Sequence, residues 1–259
     1  MRTMNDESVL IEHFNMLETT EICLFGNEKS CAKIVESIKN IESWVDTSGK
    51  DMPPPDFYND SENLMMEVMR VDDHGFIDNR GKKINPALQK ENESIKKVKE
   101  VLGDKLDNIT LVVANAPTDL PTDEDHSFDK YRKNFERIVN KHKESVGLYR
   151  KNHANHKLIF FVYDESSAYL LGRKPRKEVQ SIIVEAMPHF IPRDKNFMEV
   201  IKNCGADYVI VYMPYKRVQA FSMMPELPQA YVFEVNNLPD IIEQSYLDYN
   251  DDYMISSEK

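Results

Sequence analysis

Pro53-Pro54-Pro55-Asp56-Phe57-Tyr58, followed by Leu64-Met65-Met66-Glu67-Val68-Met69-Arg70-Val71-Asp72-Asp73-His74, sets the reading of this chain. Three consecutive prolines restrain φ and disfavour α geometry before each ring, so Asp56 ends an extended, fairly stiff approach segment. Leu64 to Val71 is apolar enough for a strand, and Asp72 to Gly81 carries the Asp-His-Gly and Asn-Arg-Gly composition of a turn. Alternation along that strand puts Glu67, Met69, Val71 and Asp73 on one side and Val68, Arg70, Asp72 and His74 on the other. Asp73 is therefore the better third oxygen donor beside Asp56 and Glu67, unless a bulge near Asp72 reverses the choice. Asp72-Asp73-His74 also has donors for Mn²⁺ or Zn²⁺, although a solvated turn is the plainer reading.

Outward from this stretch, helical and strand patterns alternate. Glu21 to Gly26 is a short apolar run feeding the helical spacing Cys31, Ile34, Val35, Ile38, Ile41. Gly26-Asn27-Glu28-Lys29-Ser30 lacks the first glycine of a phosphate-binding loop and reads as a strand-to-helix turn. Pro86 to Gly103 reads as a charged amphipathic helix, Ile109 to Ala114 as a buried strand, and Asn115 to Asp129 as a solvated acidic loop without calcium-hand spacing. Phe128, Tyr131, Phe135, Ile138 and Val139 predict a helix through about Tyr149, and Lys157 to Tyr163 predicts a strand. Tyr208 to Met213 and Ala230 to Val235 add two more aromatic, β-branched strands. Strands separated by helices point to an α/β fold with a mixed central sheet and flanking helices. The expected organisation is one α/β domain with irregular insertions over residues 1–245 and a flexible tail over 246–259, where acids are many and aliphatics few.

The formal charge of −11 argues against a broad nonspecific grip on nucleic acid. No apolar stretch approaches the length of a membrane span, and Met1 to Cys23 is too acidic for a secretory signal, so the expected location is the cytoplasm without membrane contact. Cys23, Cys31 and Cys204 form no CxxC pair and read as reduced thiols. Asp164-Glu165-Ser166, just past a predicted strand, reads either as cleft residues at a strand C-terminus or as a helix cap. Arg173, Lys174, Arg176 and Lys177 form the sharpest basic cluster, read as a solvent-facing loop or a nucleic-acid phosphate contact. Lone His189 reads as a packing or hydrogen-bonding residue.

At Asp56 and Glu67 the chain resembles the PD-(D/E)XK nuclease superfamily, whose core runs from a helix into a β-meander and then another helix and strand. The resemblance covers chiefly Ile22 to Tyr163: Pro55-Asp56 matches the proline and first acid and Glu67 the second. Met69 stands where the pattern has lysine, with Arg70 adjacent and Lys82 across the following turn as displaced positive groups. The resemblance implies a restriction-endonuclease-like core and metal-dependent phosphodiester hydrolysis of DNA or RNA. Asp56 and Glu67 would hold Mg²⁺ or Mn²⁺, Asp73 would complete the metal site, and Lys82 would serve as electrostatic partner. The alternative is a noncatalytic protein-interaction or regulatory module on a degenerate nuclease fold, using the acidic 115–129 insertion to bind a protein partner.

Overall fold

The computed structural model describes residues 7–48, 55–73, 76–77, 83–84, 126–178, 186–216 and 227–257, with helical positions at 93, 96, 97 and 100. The architecture is mixed α/β: a seven-stranded central sheet of order β1-β11-β10-β7-β4-β3-β2 with helices on both faces. The strands are β1 (Ile22–Phe25), β2 (Val45–Asp46), β3 (Phe57–Asn59), β4 (Leu64–Val71), β7 (Lys157–Asp164), β10 (Tyr208–Tyr212) and β11 (Ala230–Glu234). Short strands β5 (Phe76–Ile77) and β6 (Lys83–Ile84) form a separate hairpin, and β8 (Tyr169–Leu171), β9 (Met187–Pro188) and β12 (Met254–Ser256) form a three-stranded sheet of order β12-β8-β9.

β4, β7 and β10 are parallel to one another, β2-β3-β4 is an antiparallel meander, and β11 runs antiparallel to β10 but parallel to β1. Being covered on both faces, the central strands are apolar at nearly every position, which is what a parallel sheet under two helical layers requires. The alternation predicted for β4 divides the core. Met65, Met69 and Val71 join Leu158, Phe160, Val162, Val209 and Val211 beneath α3 (Phe128–Lys143) and α5 (Lys195–Lys202). Met66 and Val68 join Ile159, Phe161, Ile210 and Val232 beneath α1 (Glu7–Asn15) and α2 (Glu28–Lys39).

The helix expected through Tyr149 is two helices. α3 stops at Lys143, and a turn at residues 144–145 leads into α4 (Val146–Asn152), which redirects the chain towards β7. The stretch after Asp164 is strand, not helix: Asp164 Oδ1 accepts from the Ser166 N–H at 3.0 Å and the Ser166 hydroxyl at 2.6 Å, a side-chain turn that leads into β8. That local bond corrects the helix-cap reading of Ser166. Residues 246–257 also depart from the expected tail, because Met254 and Ile255 give β12 two buried apolar side chains and a ladder with β8. The predicted strand 109–114 and the acidic segment up to residue 125 lie outside the described residues, as do Lys82 and His74.

Gly26, where β1 turns into α2, has φ +139°, and a Cβ built there would stand 2.5 Å from the Glu234 Cβ. The Asn27 N–H donates to Glu234 Oε2 at 2.8 Å, and Asn27 Oδ1 accepts from the Ser30 N–H at 3.1 Å, so this turn is closed by protein groups. Gly26→Ala should destabilise the fold by about 1–3 kcal/mol through backbone strain and the collision with Glu234; an unchanged urea midpoint would remove this account of the turn.

Candidate functional site

Asp56 and Glu67 meet because β3 is shorter than β4. Phe57 pairs with Met66, which places Asp56 one step further, opposite Glu67 and on the same sheet face. With no further β3 residue to pair with β4, the Val68 N–H donates instead to Asp56 Oδ2 at 2.8 Å. Glu67 is buried, at 7% exposure, beneath the C-terminal half of α3, where its Oε1 lies 2.9 Å from His142 Nδ1. Its Oε2 is buried without a hydrogen-bond partner. The Tyr149 hydroxyl of α4 stands 3.5 Å from His142 Nδ1.

Burial first, and the adjacent Glu67 carboxylate second, push the Asp56 carboxyl up to about 8, against the opposing Val68 N–H. Burial, followed by Glu67, likewise raises the Tyr149 phenol. Two acids face each other at close quarters, and one holds a proton well above the usual carboxylate range. Such a pair answers a divalent cation well: hard oxygen donors, one of them with a free buried lone pair, and mutual repulsion that a bound cation would relieve.

Other residues singled out in the sequence lie elsewhere. Asp73 is fully buried beyond the end of β4, which itself is roughly 13 Å from Glu67. There it accepts from the Ser167 N–H at 3.1 Å, the Ser167 hydroxyl and the Tyr169 hydroxyl at 2.6 Å, and faces His126 Nδ1 at 3.3 Å. Burial alone would raise its carboxyl; His126, Ser167 and Tyr169 together hold it down to about 2. Strand alternation puts Asp73 on the Glu67 side, but the chain has left the ladder, and small-sheet hydroxyls claim the carboxylate. It is neither a solvated turn residue nor a neighbour of the acid pair.

Arg70 occupies the opposite face of β4, paired with Glu165 and with its guanidinium 5.8 Å from the Tyr163 ring centre. Met69, at the lysine position of the nuclease pattern, is 3% exposed in the core. Asp164 is fully buried, accepting from the Tyr131 hydroxyl at 2.6 Å and from Lys216 Nζ at 2.8 Å. It is a structural ion pair with no open face towards Asp56. Arg173, Lys174 and Lys177 are exposed and Arg176 half-buried in the turn after β8, on the small sheet and away from the acid pair. His189 is buried among Phe128, Phe197 and Tyr249 and lies 2.9 Å from Asp194, as a packing histidine should.

His142 and Tyr149 were absent from the sequence-level set. His142 lies in a charged helical tail with no motif around it, and only the crossing of α3 over β4 brings it to Glu67. Cys23, Cys31 and Cys204 are free thiols, Cys23 exposed and the other two buried. Among the described residues no helix is long and apolar enough to cross a membrane. No protein-family model, curated protein or solved structure significantly matches this chain.

Two pH effects follow. The Asp56 carboxyl titrates near 3.8 in the unfolded chain and near about 8 in the fold, so between those values the folded state keeps a proton the unfolded state has released. Stability should therefore decline as pH rises across that window, and Asp56→Asn should flatten the decline; denaturation midpoints measured from pH 4 to 9 check it. Asp73 has the opposite sign: its contribution is present above pH 4 and lost as pH falls towards 2. Asp73→Ala strands the Ser167 and Tyr169 hydroxyls and should cost about 3 kcal/mol at neutral pH, measured by the same unfolding curves.

Proposed function

We propose that this protein is a metal-dependent phosphodiesterase of nuclease-like type, acting on DNA or RNA through Asp56 and Glu67. The observation that carries the reading is the convergence of these two acids, from the residue just before β3 and the middle of β4, with Glu67 buried, Asp56 half-buried and the Asp56 carboxyl raised. The order α2, meander β2-β3-β4, then, past the inserted β5 and β6, α3, α4 and β7 supports a PD-(D/E)XK-like, restriction-endonuclease-like core around that pair.

Asp56 and Glu67 would hold Mg²⁺ or Mn²⁺. The ion, when bound, supplies a water of lowered pKa and charge stabilisation at the phosphate. The chain's own groups do the rest of the positioning. The Val68 N–H fixes one Asp56 oxygen, and His142 fixes Glu67 Oε1. Hydrolysis forms a bond from water oxygen to phosphorus and breaks one ester P–O bond, the departing alkoxide taking a proton from solvent. The positive partner that the family pattern puts at Met69 is replaced by an apolar core side chain. Lys82, expected from the sequence in that role, lies outside the described residues, and Asp73, expected as third ligand, is taken up by Ser167 and Tyr169 away from the pair, so the reading rests on Asp56 and Glu67. Arg173, Lys174, Arg176 and Lys177 are kept as a candidate phosphate-contacting surface, since three of the four are exposed.

The buried Met69 favours a second reading, a noncatalytic module that keeps the acid pair but binds a protein partner. Labelled single- and double-stranded DNA and RNA, incubated with Mg²⁺ and with Mn²⁺, separate the two. Cleavage by the wild type that falls at least about a hundredfold in both Asp56→Asn and Glu67→Gln supports the hydrolase. Equal product from wild type and both variants rejects the site. No cleavage with either ion, together with a stable protein complex on size-exclusion chromatography, favours the module.

A further inference from the structure

The β3–β4 hairpin and the turn joining α4 to β7 meet at the N-terminal ends of β4 and β7. The Lys157 N–H donates to the Asn63 carbonyl at 2.9 Å, fastening one turn to the other, and the His156 N–H donates to the His153 carbonyl at 3.2 Å. On this fastened backbone Asp60, His153 and His156 each offer a donor atom, all within 4.8 Å of one another. His156 Nε2 is 2.9 Å from Asp60 Oδ1. The His153 ring lies 4.4 Å from that of Tyr58 and 5.0 Å from that of His156, so packing sets its plane. His156 Nδ1 is buried without a hydrogen-bond partner, leaving Nε2 as the nitrogen that the site uses.

We propose that Asp60, His153 and His156 bind a first-row divalent transition ion, with zinc as the expected occupant, at a site separate from Asp56 and Glu67. Two imidazoles and one carboxylate are the borderline donors that such ions select, whereas Mg²⁺ selects oxygen alone. Zinc ligands at about 2.0–2.1 Å from the ion stand roughly 3.4 Å apart in a tetrahedron. That spacing falls between the 2.9 Å His156–Asp60 contact and the 4.8 Å outer limit of the set. The Asp60 side chain, 74% exposed, has the freedom to close it, and solvent takes the fourth position.

The test uses the full chain stripped of metal and titrated calorimetrically with zinc in excess Mg²⁺, which occupies any all-oxygen site. One equivalent should bind, and Asp60→Asn and His153→Ala should each weaken it by about tenfold or more, while Asp56→Asn and Glu67→Gln leave it unchanged. Absence of zinc binding, affinity unmoved by the Asp60 and His153 substitutions, or loss in Glu67→Gln would each overturn the assignment, the last by giving the ion to the acid pair. Substitution of Co²⁺ into the wild type gives a readout independent of variant folding: intense visible ligand-field bands support a tetrahedral nitrogen-containing site, and a weak octahedral spectrum overturns it.

Discussion

Asp73 and Asp164 have no exposed surface, and the arrangement of the molecule follows from how their charges are met. A carboxylate sealed from water is tolerated only when hydrogen bonds and an opposite charge replace its hydration. Asp164 draws in Tyr131 from α3 and Lys216 from the segment after β10; Asp73 draws in Ser167 from the β7–β8 loop and Tyr169 from β8. Ser256 of β12 extends the network by donating to Ser167 at 3.2 Å. The C-terminal ends of β4 and β7 are thus tied to four other parts of the chain, and removing either acid would leave several buried partners unmet.

The acid pair at Asp56 and Glu67 is resolved differently. Here the charges are set against each other, and a proton on Asp56 is the protein's own relief. The contrast between the two settings separates structure from candidate chemistry. Where partners saturate every oxygen, as at Asp73, the pKa falls and the group is committed. At Asp56, burial and the facing Glu67 carboxylate raise the pKa instead.

Much of this was legible in the sequence because strand period and apolar content are local properties. Leu64 to Val71, Lys157 to Asp164 and Tyr208 to Tyr212 are strands where the pattern predicted them, and the facing of Glu67 with Met69 and Val71 followed from alternation. The nearness of Asp56 to Glu67 was expected without a pairing register, and the β3–β4 hairpin supplies the register that produces it. What stayed hidden depends on contacts distant in sequence: Lys216 reaching Asp164, His142 reaching Glu67, and Asp73 taken up by β8 rather than by the acid pair. The acidic segment 246–259 looked unstructured because three buried residues are enough to make a strand once β8 offers an edge. Asp60, His153 and His156 carry no recognisable spacing as a set, since the hairpin and the α4–β7 turn meet only in the folded chain.

β1 pairs along its whole length with β11, and the Gln229 N–H donates to the Glu21 carbonyl at 2.8 Å. Residues about two hundred positions apart are therefore neighbours on the sheet. On a ribosome, β1 has no partner in the sheet until β11, about two hundred residues further on, has been made. α1 and α2, whose apolar faces cover that half of the sheet, wait with it. A chain wired in this way closes slowly, since loop entropy is spent before the distant contacts form, and it exposes an unpaired strand and two greasy helices throughout synthesis. The long-range ladder that makes the finished sheet continuous is therefore one whose two halves must wait for each other.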